Sequence, residues 1–207
     1  MNEPSPFQPP LPQGPASIPP ALIGVPPAVN ALGVMHLVFA GLGLVSALSG
    51  LVIAFMGNPF LTMTATHPEL AGQMEAQMAM QEKIKPMTIT SSILSLLVAI
   101  PMIIAGIALV KKRKSGLKWS NTYAWSSLGA KLINLILAIT IMVPAMQEMA
   151  RGMFAKTPVP AGVTGIMSGF MAGGAIGGVV VSAVYPIVTL VLLNRPATKA
   201  WFASLPR

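Results

Sequence analysis

Four long apolar stretches limit what this 207-residue chain can fold into. They cover residues 31–56, 88–110, 123–143 and 170–193; the third carries a single charge, Lys131, and the others carry none. A bilayer hydrocarbon core about 30 Å thick takes roughly 20 helical residues, whereas buried strands run to about 4–8 residues. Lipid offers the backbone no hydrogen-bond partner, so a lone apolar segment has to satisfy itself as a helix. The pattern predicts an all-α membrane protein with four transmembrane helices in a bundle, arranged as two hairpins.

The composition narrows function by exclusion. Charged residues make up 9% of the chain and its mean hydropathy is +0.72, against about 25% charged residues in soluble domains. There is no Cys and no Asp. Disulfides, thiolate metal sites, cysteine nucleophiles and Ser-His-Asp sets are therefore excluded. No glycine-rich phosphate loop follows a strand. The expectation is a non-enzymatic protein without cofactor or metal. Its excess of 13 Lys and Arg over 5 Glu is accounted for by topology and anionic lipid, so no nucleic-acid partner is expected.

Basic residues set the expected orientation. Lys111, Lys112, Arg113, Lys114 and Lys118 lie between the second and third spans, and Arg195, Lys199 and Arg207 follow the fourth. The opposite side holds Lys83, Lys85, Arg151 and Lys156. This imbalance puts both termini in the cytoplasm, with Lys111–Lys114 as an anchor for anionic lipids. Trp119, Tyr123, Trp125, Trp201 and Phe202 are spaced as an interfacial belt on that face. The first span is too long for a signal peptide's apolar region and no Lys or Arg precedes it, so it is expected to remain as an anchor. A bacterial inner (plasma) membrane is the expected location.

Three regions follow. Residues 1–30 hold ten of the twenty prolines and no Lys or Arg, and are expected as a disordered cytoplasmic tail. Residues 31–193 form the membrane domain, and 194–207 a short basic cytoplasmic end. In the first outer loop, Glu69 to Lys85 is rich in helix formers, with Leu70, Met74 and Met78 recurring every four residues. Pro86 is expected to end this surface helix. In the second outer loop, the third helix is expected to continue past Pro144 with a kink and to break at residues 157–162.

Few residues stand out as functional. In the fourth span, Gly169, Gly173 and Gly177 form one ridge and Gly174, Gly178 and Ser182 a second. Small residues spaced by four let helix backbones approach closely in lipid, which suits packing within the bundle or association with a second copy or another membrane protein. Lys131 either snorkels to the cytoplasmic headgroups or marks an intramembrane site shared with Asn134 or an anionic lipid. His36 is expected as a packed residue. Pro101 and Pro186 are expected as helix breaks. Outer methionines such as Met74, Met78, Met146 and Met149, with His67, could supply soft ligands to Cu(I), although methionine is equally an apolar filler.

Two functions remain. The first is a scaffold, accessory or self-associating subunit that works through the glycine ridges. The second is a small transporter or channel-like protein with Lys131 and the helix breaks along its path. A dry core of small residues favours the first, and a wet cavity reaching Lys131, Pro101 and Pro186 favours the second. If the ridges carry association, changing both Gly173 and Gly177 to Leu will abolish cross-linking between helices or chains and alter migration on mild-detergent gels. Unaltered cross-linking and migration would remove that role.

Overall fold

The computed structural model describes residues 24–57, 71–154 and 161–206, and every element among them is helical. The proline-rich segment through residue 23, His67 and residues 157–160 lie outside the described residues. Helix α1 covers Pro27–Met56, α2 Ala71–Val110 and α3 Ser115–Leu137. A π segment at Ala138–Met142 leads into α4, Val143–Phe154, and is followed by α5, Ala161–Leu193, and the short α6, Pro196–Ser204. Four stretches are long and apolar enough to cross a membrane: Pro27–Met56, Met74–Val110, Ser115–Arg151 and Ile176–Leu193. The chain is thus a multi-pass membrane protein in type.

Local chemistry explains most of the helix ends. Pro27 opens α1, where a missing N–H costs nothing and the fixed φ suits the first turn. Gly57, at φ 81°, closes it, and its N–H donates to the Ile53 carbonyl. Between α2 and α3 the chain reverses within a few basic residues. Lys112 takes the left-handed conformation at φ 51°, and the Arg113 N–H donates back to the Ala108 carbonyl at 2.8 Å.

The prolines behave differently from expectation. Pro86 does not end a surface helix, because α2 runs unbroken from Ala71 through Pro86 and Pro101 to Val110. Pro101 and Pro186 are likewise not breaks, since α2 and α5 are continuous across them. A proline within a helix removes one N–H and crowds the carbonyl four residues back, and side-chain hydroxyls and slight bending can absorb this in membrane helices. Next to Pro86, the Thr88 hydroxyl donates to the Ile84 carbonyl at 3.1 Å. At Pro144 the accommodation is the π segment, where the Val143 N–H reaches the Ala138 carbonyl. The third helix therefore does continue past Pro144. Beyond the third helix, α5 is already helical at Ala161, inside the expected break.

The helices pack side by side in the order α1, α2, α3, α5, while α1 and α5 barely meet. Gly33 lies beside Val110 and Gly50 beside Ser92, so α1 and α2 run antiparallel. The interior is built from small residues, including Ala40, Ala99, Ala105, Ala124 and Ala130, whereas Leu42, Val45, Phe55, Leu97 and Val181 face outward. A water-soluble core has the opposite arrangement; here lipid solvates the large side chains and small ones let backbones close up. Outside this region, Lys83 of α2 forms an ion pair with Glu148 of α4.

Close approach falls on glycines other than the expected ridges. A Cβ at Gly106 would stand 2.9 Å from Leu37 and 3.1 Å from the Gly33 carbonyl oxygen, and one at Gly33 would stand 3.0 Å from Val110. At Gly169, Gly173, Gly174, Gly177 and Gly178 nothing among the described residues lies within 4 Å. Among the described residues, the ridges therefore leave open space and the α1–α2 seam carries the tight packing.

The expected aromatic belt is also only partly outward-facing. Trp125 is exposed, but Tyr123, Trp201 and Phe202 are buried. Trp201 and Phe202 of α6 pack with Val29, Leu32, Leu109 and Leu193 and close one end of the structure. Folding α6 back after Pro196 is what brings them inside.

Gly106→Val will lower stability by about 1–3 kcal/mol through overpacking, measured as thermal unfolding in detergent. Gly129→Ala, where nothing lies within 4 Å, will be neutral or slightly stabilising. Equal effects of the two changes would contradict a tight α1–α2 seam.

Candidate functional site

The polar residues inside the helices converge rather than scatter. Ser182 lies eleven residues before Leu193 on α5, about 16 Å along the helix, which is close to half of a 30 Å hydrocarbon core. At that depth Lys131 of α3 reaches across, and its Nζ donates to Ser182 Oγ at 2.8 Å. The Ser182 hydroxyl donates in turn to the Val179 carbonyl at 2.7 Å. One helical turn along α3, Asn134 Oδ1 accepts from the Ser91 hydroxyl of α2 at 2.7 Å, which leaves the amide N–H groups as donors.

These groups border a cavity of about 380 Å³ between α1, α2, α3 and α5. Lys131, Asn134 and Ser182 form its polar side, together with Ser95 and Ser127. Phe39, Ala40 and Met102 supply the apolar wall, and Tyr123 and Tyr185 line its end. The cavity exists because α1 and α5 stay apart. Neither proline breaks its helix, and neither lines the cavity. Pro186 has no N–H to give the Ser182 carbonyl.

Electrostatics make Lys131 the dominant feature. An ammonium at the centre of a membrane helix costs roughly 2.5–3.5 kcal/mol on insertion scales. Among the described residues no carboxylate reaches it. The ion pairs there are Lys83 with Glu148 and Lys85 with Glu82, outside the helix region around the cavity. Glu148, on the continuation of the same helix, is seventeen residues away, about 25 Å. Lys131, half-buried, is turned toward α5 and holds a hydroxyl, so the cavity presents one positive charge with no negative charge opposite. A compact anion or an acceptor-rich neutral group would complement it.

One part of the cluster has no signature in the linear sequence. His36 of α1 is fully buried, and its Nδ1 lies 2.7 Å from the Tyr185 hydroxyl and 2.8 Å from the Leu32 carbonyl oxygen. With the proton on Nε2, Nδ1 accepts from Tyr185; with it on Nδ1, the ring donates to Leu32. Nε2 has no partner among the described residues. The rings of Tyr123 and Tyr185 stand edge-on to His36 at 4.9 and 5.6 Å, and Phe39 stands edge-on to Tyr185 at 4.8 Å. This is the main bridge between α1 and α5. It joins residues 149 positions apart, so no local spacing could reveal it.

The remaining expected site residues lie elsewhere. The basic residues Lys111–Lys114 are exposed at the α2–α3 turn. The glycine ridges line no cavity near Lys131 except through Ser182. The described residues hold no group of three or more His, Cys, Asp or Glu that could bind a metal. No protein-family model matches the chain, and no match is found among curated proteins or among solved structures.

If Lys131 serves the cavity rather than the fold, Lys131→Met will unfold at the same temperature as the parent or higher, because it removes a costly charge. Ser182→Ala will lower stability by no more than about 1 kcal/mol, the net worth of one hydrogen bond on an exposed stretch. Circular dichroism melts in detergent measure both, and a clearly destabilised Lys131→Met would instead give the lysine a structural role.

Proposed function

We propose that this chain is a non-enzymatic membrane protein that admits a small anionic solute into a cavity between its helices, as a small transporter does. Lys131 and Asn134 bind the solute and Ser182 holds the lysine ready. The observation that carries this reading is the 380 Å³ cavity, which brings Lys131, Asn134 and Ser182 together near mid-depth. A lysine without a carboxylate partner suits an anion, and the same feature argues against a buried ion pair that relays cations. The helices form a four-helix bundle of two hairpins. The Lys111–Lys114 turn and α6 lie at the cytoplasmic end, on anionic lipid, in keeping with the basic bias of the connectors.

A second reading concerns assembly. The open space beside Gly169, Gly173, Gly174, Gly177 and Gly178 favours these ridges as a contact with a second copy or another membrane helix, because close backbone approach is their physical use in lipid. Assembly and the cavity are compatible.

The chain has no cysteine, which makes accessibility a clean test. Ser95→Cys, in the cavity wall, will react faster with an anionic sulfonatoethyl thiosulfonate than with its trimethylammonium counterpart, by about tenfold for roughly 1.4 kcal/mol of charge interaction. Lys131→Met will erase that preference. Leu132→Cys, on the outward face, will react with neither. A Ser95→Cys protein that is inert, or indifferent to reagent charge, would end the proposal.

A further inference from the structure

The cavity has an apolar extension that a simple water-soluble anion would not use. A groove of about 460 Å³ runs between α1 and α5, with Ala31 and Met35 on one wall and Val184 and Val188 on the other. Almost none of its lining is polar. Val181 and Tyr185 border both the groove and the cavity, so the two spaces adjoin. From Val181 to Leu192 the groove follows eleven residues of α5, about 16 Å. That length accommodates a hydrocarbon chain of about a dozen carbons, and a cleft between just two helices accommodates one such chain.

Building on the anion site proposed above, we infer that cavity and groove together form a single site for a long-chain carboxylate, with its head at Lys131 and its tail along α1 and α5. Charge selects the head. One ammonium faces the cavity, so a monoanion is balanced, whereas a dianionic head would bring an unpaired charge into a low-dielectric space. The donors available, Lys131 Nζ and the Asn134 amide, match the two oxygens of a carboxylate. Shape selects the tail. The groove is continuous with the outward face of the helices, where lipid already solvates hydrocarbon. The tail can therefore remain in the lipid phase while only the head reaches the polar side of the cavity. The contacts of Tyr185 with His36 and Phe39 close the seam at the junction, so the tail meets the head over Val181, which borders both spaces on their outward side.

The test uses the full-length chain in phosphatidylcholine nanodiscs and a palmitate analogue with a mid-chain diazirine. Photolabelling will fall on α1 and α5 within residues 28–39 and 181–192. Palmitate will compete, whereas its methyl ester and a hexadecyl ammonium will not. Lys131→Met will reduce labelling by about tenfold, the value of one charge interaction of roughly 1.4 kcal/mol. Val184→Trp will block labelling while Ser95→Cys in the same background keeps its preference for the anionic reagent. Label spread evenly over all four long helices, or competition by the methyl ester equal to that by palmitate, would overturn the inference. Butyrate competing as well as palmitate would overturn the amphiphile and leave the anion cavity standing. Loss of the anionic preference in the Ser95→Cys protein itself would remove the head site, and both proposals with it.

Discussion

Between helices in lipid there is no hydrophobic force to speak of, since a leucine gains little by leaving one hydrocarbon environment for another. Contact has to come from backbones that approach closely. In this chain that condition is met along α1 and α2, where Gly33 and Gly106 leave room for Val110 and Leu37, and alanines continue the seam. The large residues turn outward as a consequence. Tight packing on one side of the structure also leaves the other side, between α1 and α5, to be joined by the His36–Tyr185 hydrogen bond and a few ring contacts.

The uneven closure creates the site. Where α1 and α5 stand apart, a largely apolar cavity with one polar side remains, and one lysine sits in its wall. An isolated ammonium in such surroundings is costly unless something compensates it. Ser182 supplies a neutral acceptor and no more. The missing compensation is the physical basis for proposing an anionic ligand, and the adjoining groove the basis for proposing one with a tail. If the glycine ridges of α5 bind a second chain, they would do so on open helix surface, and the cavity need not be disturbed.

Much of the architecture was legible beforehand. The four apolar runs needed only length and charge to be recognised, and each has its helix. Continuation of the third helix past Pro144 was also readable. Three expectations went astray for one shared reason. The local cost of Pro86, Pro101 and Pro186 predicts breaks, yet the helices run continuously through all three, as membrane helices commonly do. Sequence position alone places Trp201 and Phe202 at an interface, while the turn at Arg195–Pro196 packs them against Val29, Leu32, Leu109 and Leu193. The site was half legible: Lys131 was conspicuous as a charge in an apolar run, and Asn134 lies one turn on. Ser182 entered as a ridge residue, not as a lysine partner, and the His36–Tyr185 bridge was out of reach.

Hydropathy along the chain was enough to assign four membrane-crossing helices and an excess of positive charge at the α2–α3 turn, because transfer to lipid is an energy summed over consecutive residues. Which faces of those helices meet could not be read the same way. Packing depends on pairs distant in the chain, such as Gly33 with Gly106 or Lys131 with Ser182, and among many small residues only the fold selects which ones touch. The cavity belongs wholly to that second kind of information, since it is the space that remains where two helices fail to close.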